Sequence, residues 1–392
     1  MSLIRTCRAT LATLALAAAL PLTAHAAPPA AGAWQAITPG PLTVDGRTYT
    51  PSCSGFPGTD PTFRFWARQG ASKNTMVFFE GGGACWNDLT CSSASNQGAP
   101  QFFNPMVPPG TDPATFDGIF RAGAANPVAE WSMVYIPYCT ADIHGGSATR
   151  TYTNLAHPLL PQGAPLQIQH RGFDNFMAVL DWMKKNQGTP NNLLVTGASA
   201  GGYGATLNFP WLAQAYPNSH VFVLADASQG VTTPGFDTGP AGRSSWNTQF
   251  APAFGPDASA LRSADLLRTA AANLPRAKVA QFTTAFDGVQ IFFYCAMTGE
   301  LFATGACQQS APAWYAQMVG NLLGDASSVP NFRYYLAWGD YHTILRSGLF
   351  YTEATPGIAF NEWLAQMLAN RGGTGGSGGK WFSVACPGCL PQ

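Results

Sequence analysis

The segment Asn192-Asn-Leu-Leu-Val-Thr-Gly-Ala-Ser-Ala-Gly-Gly-Tyr-Gly204 constrains this chain more than any other. A short apolar run, Leu193 to Val195, leads into Gly197-Ala-Ser-Ala-Gly201, and Ala205 to Tyr216 can continue as a helix. A serine on a sharp strand-to-helix turn sits in strained backbone, and small residues two positions either side relieve the clash. The turn lifts the hydroxyl clear of a sheet and aims the next backbone N–H at a developing oxyanion. The competing reading is a tight glycine-rich turn with an ordinary serine. The apolar strand before Ser199 and the helix after it favour the reactive turn.

Such a turn needs a buried sheet behind it. The chain has 392 residues, 46% hydrophobic and only 10% charged, enough for one large core. Apolar runs recur at Met76–Phe79, Met133–Ile136, Leu193–Val195, Val221–Leu224, Val279–Phe286 and Phe332–Trp338. Near-continuous apolar strands suit a parallel sheet buried on both faces. Between them lie helical patterns, among them Phe173, Phe176, Met177, Leu180 and Met183, a helix ending near Gly188. The alternation predicts an α/β chain with a mostly parallel central sheet and helices on both faces. Residues 27–60 read as an irregular lead-in with short strands. Residues 86–130 and 230–275, rich in Pro, Gly and Ser, read as long insertions over the site, lids or cleft walls.

Residues 1–26 read as an export signal: Arg5 and Arg8, the apolar stretch Ala9–Leu20, then Ala24-His-Ala26 as a cleavage site. The apolar stretch is too short to span a bilayer. The expected organisation is therefore 1–26 signal peptide, 27–370 catalytic domain, and 371–392 a Gly-rich linker with a cysteine-containing tail. Loss of the leader leaves 18 basic against 20 acidic residues. That balance offers no capture of nucleic acid or of an anionic membrane. A secreted or periplasmic bacterial protein is expected, a monomer without stable membrane insertion.

Eight cysteines remain after Cys7 leaves with the leader. An even count in an exported chain reads as disulfides. Proximity pairs Cys85 with Cys91, Cys295 with Cys307 and Cys386 with Cys389, leaving Cys53 with Cys139. Cys386-Pro-Gly-Cys389 has redox-motif spacing, but its place in a tail argues for a small structural loop. It lacks the second cysteine pair that a zinc site needs.

A serine nucleophile needs a base, usually histidine. His342, in Trp338-Gly-Asp-Tyr-His342, follows the last predicted strand, and α/β-hydrolases place the triad in the order Ser, acid, His. His220 reads as the start of a strand; His157 and His170 read as solvated loop residues. For the acid, Asp287 follows the next-to-last predicted strand; Asp226, ending the strand before, is the runner-up, and Asp340 stands too near His342. The oxyanion needs at least two N–H donors. Ala200 should supply one and the loop after the third strand, Glu80-Gly-Gly-Gly-Ala-Cys-Trp86, the other, its three glycines letting the backbone approach the reacting atom. Asp142 and His144 are too few to hold a metal, and no metal or cofactor is expected; their loop reads as cleft lining. Trp86, Tyr138, Tyr203 and Tyr341 could stack on a sugar, pack an acyl chain or simply pack.

Five motifs in order then carry a family resemblance: Glu80-Gly-Gly-Gly-Ala-Cys-Trp-Asn87, Tyr138-Cys-Thr-Ala-Asp142, Gly197-Ala-Ser-Ala-Gly-Gly-Tyr-Gly204, Leu224-Ala-Asp226 and Phe286-Asp-Gly-Val-Gln290. From about Thr38 to His342 the chain resembles the pectin acetylesterase family, which includes the animal carboxylesterase Notum. The resemblance implies an α/β-hydrolase fold and a serine carboxylesterase without metal or cofactor. It maps the catalytic residues to Ser199, Asp287 and His342 and the oxyanion donors to Gly82, Gly83 and Ala200. It makes Asp226 structural and supports the Cys53–Cys139 and Cys85–Cys91 pairs. Trp86, Tyr203, Asp142 and His144 become substrate-contacting candidates. The chain departs from the plant members in the Cys139–Ser147 loop and lacks their cysteine-rich region before the histidine. The expected substrate is an acetyl ester on a plant cell-wall polysaccharide. A polyester depolymerase or lipid esterase is the alternative on the same fold, an inactive hydrolase-fold binding protein or a thiol–disulfide protein the alternatives off it.

Overall fold

The computed structural model describes residues 32–93, 102–155, 157–302, 307–369 and 381–390. The expected signal peptide and the Gly-rich linker lie outside the described residues. Nine strands form one sheet: β1 (Trp34–Ile37), β2 (Phe65–Arg68), β3 (Asn74–Phe79), β4 (Ser132–Ile136), β5 (Asn192–Ala198), β6 (His220–Asp226), β7 (Lys278–Thr284), β8 (Phe332–Ala337) and β9 (Val384–Ala385). Their spatial order is β1-β2-β4-β3-β5-β6-β7-β8-β9. β1 and β2 run antiparallel to their neighbours, and every later pairing is parallel. This is the large, mostly parallel sheet of an α/β-hydrolase-like fold. Each of the six apolar runs lies wholly or largely in one of its parallel strands, since a strand covered on both faces has no polar side to show.

The alternation along each strand sorts the core into two halves. Val77, Phe79, Leu193, Val195, Val221, Val223 and Val279 point to one face. Met76, Phe78, Leu194, Phe222, Leu224, Ala280 and Phe282 point to the other. The first face packs against α1 (Gly172–Asn186), α2 (Ala200–Ala215), α3 (Ser263–Asn273), α4 (Gly288–Thr298) and α5 (Ser310–Ser328). The second is covered by α6 (Phe360–Ala369) and by irregular chain carrying Ile119, Phe120, Val128, Trp131, Ile344 and Leu345. The helices are thus distributed unevenly, more so than the sequence pattern implies.

Three expectations change here. Part of the 86–130 stretch is no lid: its apolar residues after Phe116 are core for the second face. Part of 230–275 is the crossover helix α3, which carries the chain from β6 to β7 as a parallel pairing requires. The terminal segment is no loose tail either. Residues 384–385 add β9 to the sheet, Trp363 donates to the Phe382 carbonyl at 2.8 Å, and Cys386 and Cys389 are buried. The structure holds the four expected disulfides, Cys53–Cys139, Cys85–Cys91, Cys295–Cys307 and Cys386–Cys389. Four bridges fit an oxidising, extracellular setting. No helix among the described residues is long and apolar enough to cross a membrane.

Candidate active site

Ser199 ends β5 and caps α2 with φ 58° and ψ −123°, a left-sided conformation that costs a non-glycine residue roughly 1–3 kcal/mol. The turn is affordable only because its neighbours vanish. A Cβ on Gly201 would stand 1.9 Å from the Phe79 carbonyl oxygen. The Ser199 N–H donates to the Asp226 carbonyl at 2.8 Å, fixing the elbow to the end of β6.

The glycine loop follows β3 directly. Gly83 pairs with Phe103 as an isolated antiparallel bridge, flanked by Ala84 N–H to Phe102 O at 2.8 Å and Asn104 N–H to Gly82 O at 2.9 Å. In that pattern the Gly83 N–H faces away from Phe103. Its φ is +76°, and a Cβ there would lie 1.9 Å from the Phe102 carbonyl oxygen. Ala200 is the first residue of α2, where an N–H has no partner within the helix.

His342 lies on the loop after β8, and its Nδ1 sits 2.9 and 2.8 Å from the two Asp287 carboxylate oxygens. Asp287 is fully buried and caps α4. It accepts from the N–H groups of Val289 and Gln290 at 3.1 and 3.0 Å, and from the Gln290 side chain at 3.0 Å. These donors at the helix terminus fix the orientation of the carboxylate toward His342. An acceptor at Nδ1 demands a proton there, which leaves the Nε2 lone pair free. Nε2 is buried and makes no hydrogen bond. Ser199 and His342 border the same two cavities.

Asp226, the runner-up acid, serves another end. It is fully buried and accepts from the N–H groups of Ile344 and Leu345, each at 2.9 Å, so it anchors the loop that bears His342. Burial pushes its carboxyl up to about 7. Arg346 on that loop pairs with Glu80 at the start of the glycine loop, and its guanidinium lies 3.7 Å over the Phe116 ring. The histidine loop is thereby tied to both the elbow and the glycine loop.

The first cavity is apolar, about 60 Å³, and bounded by Ala200, Tyr203, Val231, Phe236, Phe293 and Met297, among others. That is room for a handful of water-sized groups. The second, about 360 Å³ and more open, is lined by Glu80, the three glycines, Asn104 and Thr343, with polar and apolar surface in balance. The two meet at Gly83, Ser199, Val289, Phe293 and His342.

Of the substrate-contacting candidates, only Tyr203 reaches these cavities. Its hydroxyl accepts from the Gly230 N–H at 3.1 Å, so only the ring is offered. Trp86 is buried against Phe102, Phe236 and Phe293 and borders a separate groove with Asp88, Arg150 and Tyr152. Asp142 and His144 are fully buried below the glycine loop rather than in the cleft. Asp142 accepts from Thr140 at 2.6 Å and from the Gly172 N–H at 2.7 Å, and the His144 Nε2 lies 2.8 Å from the Glu80 carbonyl. Since a carbonyl only accepts, Nε2 is the protonated nitrogen, and burial holds the ring's pKa down to about 4. Neither side chain lines the cleft as expected, because both turn inward to bond Thr140 and the backbone of Gly172 and Glu80.

His170, expected to be solvated, is fully buried, bonded to Tyr152 at 2.9 Å and to the Thr140 carbonyl at 3.1 Å. It comes near Cys85 and Cys91, whose sulfurs are taken by their disulfide. The residues that sequence reasoning passed over are Gln290 and Gln229. Gln290 donates to Asp287 and, at 2.8 Å, to the Gln229 side-chain oxygen. The signal was present: Asp287-Gly-Val-Gln290 has the spacing of a capping box.

A strained elbow serine, an acid-held histidine and a glycine loop gathered at the carboxyl edge of a parallel sheet define the site of an α/β-hydrolase-like enzyme. The chain belongs to the pectinacetylesterase family, whose model matches residues 50–244. That span is narrower than the stretch from Thr38 to His342 that carries the motifs. It includes the glycine loop and the elbow and stops before Asp287 and His342. No curated protein matches the chain. Membership implies an esterase acting on an ester substrate.

Proposed function

We propose that the protein is a secreted serine carboxylesterase that removes short acyl groups, acetyl foremost, from an extracellular polysaccharide. The observation that carries the reading is the Asp287–His342 pair, with no hydrogen bond at Nε2, bordering the same two cavities as the strained Ser199. In this mechanism His342 Nε2 takes the Ser199 proton as Oγ attacks the ester carbonyl. Asp287 holds the ring's orientation and offsets its positive charge. The oxygen that gains charge is met by the N–H groups of Gly82, Gly83 and Ala200. His342 then passes its proton to the departing alcohol, and water, deprotonated in turn by His342, cleaves the acyl-serine to free acid.

The two cavities divide the ester. A small apolar space suits a short acyl group, and the wider polar one suits a hydroxyl-bearing alcohol. Ser199→Ala should lower p-nitrophenyl acetate hydrolysis by about 10⁴-fold or more without changing the melting temperature. It should also abolish labelling by a fluorophosphonate probe. Turnover retained in this variant overturns the mechanism. Acid release from acetylated pectin, acetylated xylan and a polyester then ranks the substrates.

A further inference from the structure

Exposed aromatic surface that the proposed chemistry does not use flanks, along the chain, the segments that bear Asp287 and His342. Phe286, just before Asp287, is 41% exposed, and Trp338, just after β8, is 60% exposed. Their rings lie 5.7 Å apart at 84°, and Phe286 stacks on Tyr315 at 5.4 Å and 16°. The cluster is built rather than incidental. The Phe286 N–H donates to the Gly339 carbonyl at 2.9 Å, and the Tyr315 hydroxyl donates to the Cys389 carbonyl at 2.9 Å. Three residues after Phe286, Val289 is 38% exposed and borders both cavities with Ser199.

Large apolar groups are seldom left in water beside a reactive centre without a partner. Flat rings offer a face to the C–H face of a sugar, which small aliphatic side chains do not. Charge narrows the partner further. Among the described residues bordering the two cavities the ionisable groups are Glu80 (paired with Arg346), His342 and the Tyr203 phenol. No lysine or arginine lines them to receive a polyanion. The second cavity's balance of polar and apolar lining favours a hydroxylated chain over a polyester.

Resting on the esterase reading, we infer that Phe286, Tyr315 and Trp338 form a platform for an uncharged acetylated polysaccharide, along which the chain lies while one ester enters the Ser199 cleft. Trp338 is the residue to test, since it is mostly exposed and outside the proposed chemistry. In Trp338→Ala, p-nitrophenyl acetate turnover should stay within about twofold, while the KM for acetylated xylan rises about fivefold. In the Ser199→Ala background the same change should shorten retention on immobilised acetylated xylan, and Trp338→Phe should restore it. Unchanged retention and KM overturn the platform. So does a loss confined to polyester beads, or stronger retention by acetylated polygalacturonate than by acetylated xylan. Failure of the esterase reading shows separately, as absence of wild-type turnover of p-nitrophenyl acetate.

Discussion

At the scale of single residues, the site joins a buried carboxylate to a half-buried histidine whose tautomer is dictated by what it touches. His342 must carry its proton on Nδ1 because Asp287 accepts there. Asp287→Asn removes that demand and should cut kcat by about 10⁴-fold with the fold intact, measured on p-nitrophenyl acetate. His170 shows the opposite use of an imidazole. Its pKa is held down to about 3 by burial, below the ordinary value near 6.5. A depressed histidine favours the folded state above pH 6.5, and that advantage is lost as pH falls toward the folded value. His170→Gln should therefore be destabilised at pH 7.5, and the gap to wild type should close by roughly 2 kcal/mol at pH 5, read by urea unfolding at both pH values. Ser199 was visible in the sequence because its strain requires small neighbours within two positions. Asp142, His144 and Trp86 were misplaced because residue type says nothing of which way a side chain turns. Their burial is settled by β-bridge and ring contacts to distant residues, such as Ala84 with Asp142 and Trp86 with Phe236.

At the scale of elements, the histidine loop depends on one carboxylate. Asp226 accepts two buried N–H groups from it, so Asp226→Ala leaves both unsatisfied. We expect a loss of about 2–3 kcal/mol of stability and a fall of at least about 100-fold in kcat/KM. Asp226→Asn, which keeps an acceptor oxygen, should recover most of both; equal damage from the two variants would argue against this anchoring role. The longer parallel strands are readable because each carries a run of apolar residues with few polar interruptions. The split of the core was not, because the second face is covered by irregular chain around Ile119, Phe120, Ile344 and Leu345, which has no period to detect. α3 was hidden for a related reason: Ser263-Ala-Asp-Leu-Leu follows a long Pro/Gly/Ser-rich run whose composition dominates the window.

At the scale of the whole molecule, both sheet edges are closed by short strands, β1 on one side and β9 on the other. The expectation of a tail within 371–392 misses β9 because two residues of strand give no alternation to recognise. Their docking buries Trp381 beside Trp363 at 6.1 Å between ring centroids. Truncation before Trp381 should cost at least about 3 kcal/mol, a fall of roughly 5 °C in melting temperature. Replacing Cys386 and Cys389 by Ser should spare esterase turnover, which a redox role for that pair would not allow. The Cys53–Cys139 bridge closes a far longer loop, 86 residues apart, and is worth roughly 4–5 kcal/mol on chain-entropy grounds. The family match ends at residue 244, between the serine and its partners. A chain cut at that boundary would keep Ser199 and the glycine loop and lose Asp287 and His342, so under the proposed mechanism it would display a nucleophile with nothing to activate it.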